Sequence, residues 1–346
     1  EIGFPFSAAH AWMAMAADAI EKEDLDRAAE LLERSLEPAE EIEHEEERIR
    51  SFIDIGNSFL ASNRNDRAIE TLDKAREYAE ALGNVHRDNF LASISTGFLR
   101  AGSVELADRT LDSVKDKTQI ATALLGFARE FWRKEEKDEA LEALEEAYAI
   151  LKSQHERETR DGKARYALFT NIAVQFAGFE KGERGIEIAQ EIADENQAMS
   201  ALGQIAKILT TQKNDELART ALNAIPDDAH RMFALISLSD AAVAKDEHEN
   251  AAGFLNEADA LAEEVPQLAS RSSAYNSIAD RFVNLEDLPK AREIAHKSLG
   301  VIGTIKDESS QVSSLAELAG SFEKAGFAPD EADAEIIRAM LLPKRF

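Results

Sequence analysis

Residues 52–72 read FIDIGNSFLASNRNDRAIETL. Phe52, Ile55 and Phe59 stand three and four residues apart, which lines them along one face of a helix. Gly56 lies on the same face and carries no side chain. The polar run Ser62–Asp66 then interrupts the pattern. Ala68 follows nine residues after Phe59, and Leu72 lies one helical turn later. The stretch reads as two helices joined by a short turn. Gly56 and Ala68 sit where the two backbones must approach.

The same arrangement recurs along the chain. A large apolar residue is followed nine positions later by a small one at Phe98 and Ala107, Phe131 and Ala140, and Phe176 and Gly185. Leu209 and Ala218, Ala242 and Ala251, and Phe282 and Ala291 continue the series. Ala19 with Ala28 opens it, and Phe322 with Ala332 closes it one residue out of step. Three residues before the large position stands a small one: Gly56, Ser95, Ala128, Ala173, Ala206, Ser239, Ala279 and Ala319. Four residues after the later small residue comes a core leucine, as in Leu72, Leu111, Leu144, Leu222 and Leu255. No convincing alternation of period two occurs, so strands are not expected.

This spacing matches W-x2-L-G-x2-Y…A-x3-F, with Trp12 in the tryptophan place, and the chain resembles a tetratricopeptide-repeat protein over nearly its whole length. The resemblance implies an all-α fold, a right-handed α-solenoid or superhelix of antiparallel helix pairs. It implies a single domain over residues 1–346, with nine units at approximately 8–44, 46–83, 87–115, 118–155, 163–194, 197–224, 229–264, 269–301 and 308–341. Measured between the small residues, the units recur every 33 to 45 residues. The family's usual period is about 34. The longer spacings predict extended second helices or longer connectors, for example Lys152–Lys163. Gly185 and Ala242 match weakly at core positions, so poor packing or a kink is expected in their units. Asp66, Asp138, Asp215 and Asp287 are expected to cap second helices, and Pro289 suits a first helical turn.

Composition narrows the function classes. The 346 residues carry 67 acidic against 40 basic side chains, a net charge of −27, which argues against a nucleic-acid partner. Hydrophobic residues reach 44%, enough for a folded core. Cysteine is absent, excluding disulfides, thiolate metal sites and cysteine nucleophiles. No run approaches the roughly 18–20 apolar residues of a membrane span. Glu1–Ile20 lacks a basic start and carries Asp18, so it reads as a first helix and not a signal peptide. A cytoplasmic location is expected, or a periplasmic or secreted one if a leader was removed before Glu1.

Enzyme motifs are missing as well. No phosphate loop, H-E-x-x-H zinc helix, calcium loop or nucleophile elbow occurs. His10, His44, His86, His155, His230, His248 and His296 are scattered about one per unit, which suits surface and cap roles. Glu40–Glu47 holds six carboxylates, expected to form a solvated helix face. No catalytic residue, metal site or cofactor is expected. The expected function is a non-enzymatic scaffold or adaptor that binds a peptide or partner helix in a concave groove. A sensor or regulatory repeat module of a larger protein is the alternative, and an all-helical enzyme without a linear motif a third.

The resemblance places that groove along the first helices of the pairs. Its basic members would be Arg50, Arg100, Arg129, Arg133, Lys207 and Lys324; its acidic ones Glu21, Asp240, Asp280 and Glu323. Polar neutral members include Asn57, Asn89, Thr96, Asn171, Gln204 and Asn276. Trp132 falls one place after the core Phe131 and would point toward the groove. Five of the six basic residues lie at or before Lys207, and three of the four acidic ones after it. The sharper expectation is a basic middle and an acidic C-terminal end, gripping a protein segment with acidic residues. Asn57, Asn171 and Asn276 would bind its backbone, as asparagines in this family's grooves often do. The bland expectation is that the long cations only pair with neighbouring carboxylates. The Lys-x-x-x-Asn pairing of the carboxylate-clamp members is on no first helix, which argues against chaperone-tail recognition.

Overall fold

The computed structural model describes residues 5–153 and 162–341. Among them there is no strand, and eighteen helices follow one another in pairs. The pairs are α1 (Pro5–Glu21) with α2 (Leu25–Glu40), α3 (Glu45–Ala61) with α4 (Asn65–Ala81), and α5 (Arg87–Arg100) with α6 (Val104–Asp112). Next come α7 (Lys117–Arg133) with α8 (Lys137–Ser153), α9 (Gly162–Gly178) with α10 (Gly182–Gln190), and α11 (Glu195–Thr211) with α12 (Asp215–Asn223). The last three are α13 (Asp228–Val243) with α14 (His248–Glu264), α15 (Leu268–Asn284) with α16 (Leu288–Thr304), and α17 (Glu308–Ala325) with α18 (Glu331–Leu341). They gather into two compact units, Glu1–Leu168 and Phe169–Phe346, the division falling inside α9.

The short periods have one source. First helices run 14 to 18 residues. Second helices are either 16–17 residues long or, at α6, α10 and α12, only nine; α18 has eleven. The three short ones follow the spacings of 33, so deleting about two turns from the second helix sets the local period. The expected connector at Lys152–Lys163, with His155, lies mostly outside the described residues.

All nine turns are built alike. Four residues after the large apolar position the backbone enters the left-handed region, at Glu23, Asn63, Gly102, Glu135, Glu180, Lys213, Asp246, Glu286 and Gly326. The following N–H returns to the carbonyl of the large residue, as Arg64 N to Phe59 O at 2.9 Å and Asp287 N to Phe282 O at 3.0 Å. The left-handed residue bonds one position further on, as Asn63 N to Leu60 O at 3.0 Å. This double closure is the Schellman motif, which satisfies the orphan carbonyls of each first helix. Because the second helix starts directly after it, the N-cap is the residue behind the left-handed one: Asp24, Asn214 and Asp287 cap with their side chains. Asp66, Asp138 and Asp215 therefore fall inside the first turn instead of capping, where a carboxylate still suits the helix dipole. Pro289 is in the first turn of α16.

The crossings explain the small residues. A Cβ added to Gly56 would lie 2.8 Å from Leu72 Cγ, and one on Gly97 2.9 Å from Leu72 Cδ1. Leu72, fully buried, thus fills the space that two glycines leave. Gly185 is no weak point: its Cβ would lie 2.6 Å from the Ala173 carbonyl oxygen, so α9 and α10 touch backbone to backbone there. Ala242 is fully buried on α13, which runs unbroken. The expected kinks are absent from these helices because a missing side chain is what the contact needs.

The last pair departs from the rest. Ala332 is exposed, and the buried neighbour is Asp333, 2% accessible. The turn runs on through Phe327, Ala328 and Pro329 before α18 begins. That insertion moves α18 onto α16, where Asp333 meets His296 at 2.8 Å.

Candidate binding groove

Within the first compact unit, α3, α5 and α7 lie side by side and leave a groove of about 360 Å³. Small side chains make its floor: Ala92, Ser93 and Gly97 on α5, and Ala123 and Gly126 on α7. A Cβ on Gly126 would lie 2.8 Å from Thr96 Cγ2, so the glycine sets how closely α5 and α7 approach. Polar groups line the walls: Asn57, Asn89, Gln119 and Thr122, with Arg100 and Arg129 at one end. Asn89 donates to Gln119 Oε1 at 3.3 Å, and Arg100 donates to the side-chain Oδ1 of Asn57 at 3.1 Å. Among the described residues the lining holds two guanidiniums and no carboxylate.

Asp88 fixes this spacing. Its carboxylate accepts from the backbone N–H groups of Lys115, at 2.8 Å, and Asp116, at 2.7 Å, tying the start of α5 to the start of α7. Burial acts to raise its pKa, but those two N–H groups and Arg87 outweigh it and hold the carboxyl below its usual value.

The expected site residues divide by what they touch. Asn57, Arg100 and Arg129 converge on the groove, as do Asn89 and Thr96. Arg50 is exposed on α3 near Asp54, whose pKa burial raises against the pull of His10 and Arg50. Asp54 lies five residues before Phe59, the register of Gly126, but it does not line the groove. Gln119 and Thr122 were missed in the sequence; Gln119 stands twelve residues before Phe131, outside the register considered, whereas Thr122 stands nine before it, in the register of Asn89. Trp132 lies under the Lys137 ammonium, 4.7 Å from its ring. Arg133 is held by Glu130 at 2.6 Å, and that carboxylate is only 7% exposed. Arg133 therefore neutralises a buried acid.

In the second compact unit Asn171, Gln204 and Lys207 are exposed on first helices. The expected acidic end is neutralised by neighbours. Asp240 takes both nitrogens of the Arg281 fork at 2.8 Å, and Asp280 receives Lys324 at 2.9 Å. Asn276 is a correction: it is 6% exposed, donates to the Ser314 carbonyl at 3.2 Å and accepts from Ser298 at 2.6 Å. Its place, six residues before Phe282, faces the next first helix, so its amide is spent inside the core. Among the described residues no three histidine or carboxylate groups converge as metal ligands, and no helix is long and apolar enough to cross a membrane.

Nine turns of one geometry, eight of them behind a close crossing of small residues, decide the architecture. In fold the chain is a tetratricopeptide-like repeat protein. Solved structures similar to this repeat chain include Ton1535 from Thermococcus onnurineus NA1, 14% identical, with 92% of each chain covered and a TM-score of 0.36. A putative kinesin light chain from Podospora anserina with TPR-like repeats is 16% identical, covering 66% of this chain and 95% of that one, with a TM-score of 0.29. The STAND protein with a tetratricopeptide repeat sensor from Pyrococcus horikoshii is 14% identical, covering 92% and 52%, with a TM-score of 0.31. No family model matches the repeat chain, and no curated protein does.

Proposed function

We propose that this chain is a non-enzymatic protein-interaction module whose α3–α5–α7 groove holds an extended segment of a partner protein bearing a carboxylate. The observation that carries the reading is the groove's charge: among the described residues two arginines and no acid line it, in a chain of net charge −27. From Asn89 to Arg100 the groove follows eleven residues of α5, about 16 Å at 1.5 Å per residue. At about 3.3 Å per residue that length fits roughly five residues of extended chain. The carboxamides of Asn57, Asn89 and Gln119 offer both donors and acceptors, as a peptide backbone requires. Arg100 and Arg129 supply planar forks suited to a carboxylate at one end.

Affinity capture from cells, repeated with Arg100→Glu and Arg129→Glu together, tests this. The partner recovered by the wild-type chain should be lost, and capture should weaken as salt rises. Equal recovery by both proteins sinks the reading. Arg133 is unsuited to the test, because a carboxylate there would face the buried Glu130.

A further inference from the structure

We propose that the open last pair, α17 with α18, is a second docking site, one that takes a bulky apolar side chain from a partner segment flanked by lysine or arginine. It is independent of the α5 groove and rests on different observations. Phe327 follows the left-handed Gly326 where the eight other turns place a polar residue, and it packs against Phe322 with ring centroids 5.7 Å apart. The Arg292 guanidinium covers Phe327 at 4.7 Å. With Pro329 following, α18 starts late and lies on α16, where a Cβ on Gly303 would come within 3.2 Å of Ile336. The crossing that closes other pairs is left open. Ala319 is exposed, whereas Gly56, Ser95, Ala128, Ala173, Ala206, Ser239 and Ala279, in the same register, are all buried.

The result is a cleft of about 300 Å³ between α16, α17 and α18, walled by Leu299, Leu315, Leu318, Phe322 and Ile337, with Glu323 at its mouth. Val312, one turn before Leu315 on α17, is 64% exposed. A cleft of this size and lining accepts a large aliphatic or aromatic anchor. Charge selects the occupant. Residues 308–341 carry seven carboxylates, six of them outside the buried Asp333–His296 pair, against Lys324 and Arg338 as cations; Lys324 is engaged by Asp280, and Arg292 of α16 lies over the Phe327 ring. A second copy of this chain would bring one acidic rim against another, which like-charge repulsion opposes. A basic segment is attracted by the rim and by the whole chain.

The test uses the full chain and a short fluorescent helical peptide with leucine along one face and lysine along the other. Its twin carries glutamate for every lysine. The lysine peptide should bind at least about tenfold more tightly than the twin, and Ala319→Trp, which fills the cleft, should weaken it by about tenfold. Glu323→Lys should weaken it by a smaller factor, and Arg100→Glu with Arg129→Glu should leave it intact. Hydrogen exchange should show new protection on α17 and α18. Absence of binding, equal binding of the twin, or an Ala319→Trp chain that binds like wild type overturns the proposal. Loss on changing Arg100 and Arg129 with none at Ala319 also overturns it, because the peptide would then lie in the α5 groove.

Discussion

Seven of the nine left-handed turn residues are not glycine, and each of those carries a backbone conformation that costs an L-residue roughly 1 kcal/mol. The Schellman closure repeats in all nine regardless, because the alternative is a first helix ending with unpaired carbonyls. Two substitutions isolate the effect. Glu135 is exposed at φ 64°, and Gly102 at φ 90° has nothing within 4 Å of where a methyl group would stand. Glu135→Gly should stabilise the chain by about 0.5–1 kcal/mol, and Gly102→Ala should destabilise it by a similar amount. Urea unfolding midpoints read both, and equal shifts in the same direction would refute the account. These positions were hidden in the sequence by their varied side chains. Only their constant place, four residues after the large apolar residue, betrays them.

At the scale of elements, the groove depends on how α5 and α7 are held together. Asp88 holds them with two charge-assisted bonds to backbone N–H groups, so Asp88→Asn should cost about 1.5–3 kcal/mol. The sign with pH follows from its lowered pKa. A carboxyl that is more acidic in the folded chain adds stability above its unfolded value, about 3.9, and that stability is lost as pH falls through the folded value. The wild-type advantage over Asp88→Asn should be constant near neutrality and shrink below about pH 4, as unfolding curves at several pH values would show. A difference that stayed level down to about pH 2 would rule the pairing out. Helix pairing itself was legible, since Phe59 with Ala68 and its counterparts mark both helices and the crossing between them. The groove was legible in part. Asn57, Arg100 and Arg129 lie on the faces their register indicated, but Gln119 enters from a helix start that no repeat position flagged.

For the chain as a whole, the excess of 67 acidic over 40 basic residues opposes folding by self-repulsion, even though many of the cations are paired. Ion pairs such as Arg67 with Glu33 and Lys74 with Glu40 link successive second helices on exposed surfaces and contribute little each. Repulsion should therefore dominate the salt response. Raising ionic strength from about 0.01 M to about 0.15 M shortens the screening length from about 30 Å to about 8 Å and should raise the melting temperature. A fall would mean that the ion pairs outweigh the excess charge. By itself the sequence determined the helices, the crossings and the period, because those follow from apolar spacing and residue size within about forty consecutive residues. Only the tertiary structure decided which polar groups remain available to a partner. Asp240 is taken by Arg281, Asp280 by Lys324, Glu130 by Arg133, and Asn276 by Ser298 and Ser314. Most of these partners stand a full repeat away, and a side chain's reach across to the next helix is set by packing distances that no local pattern records.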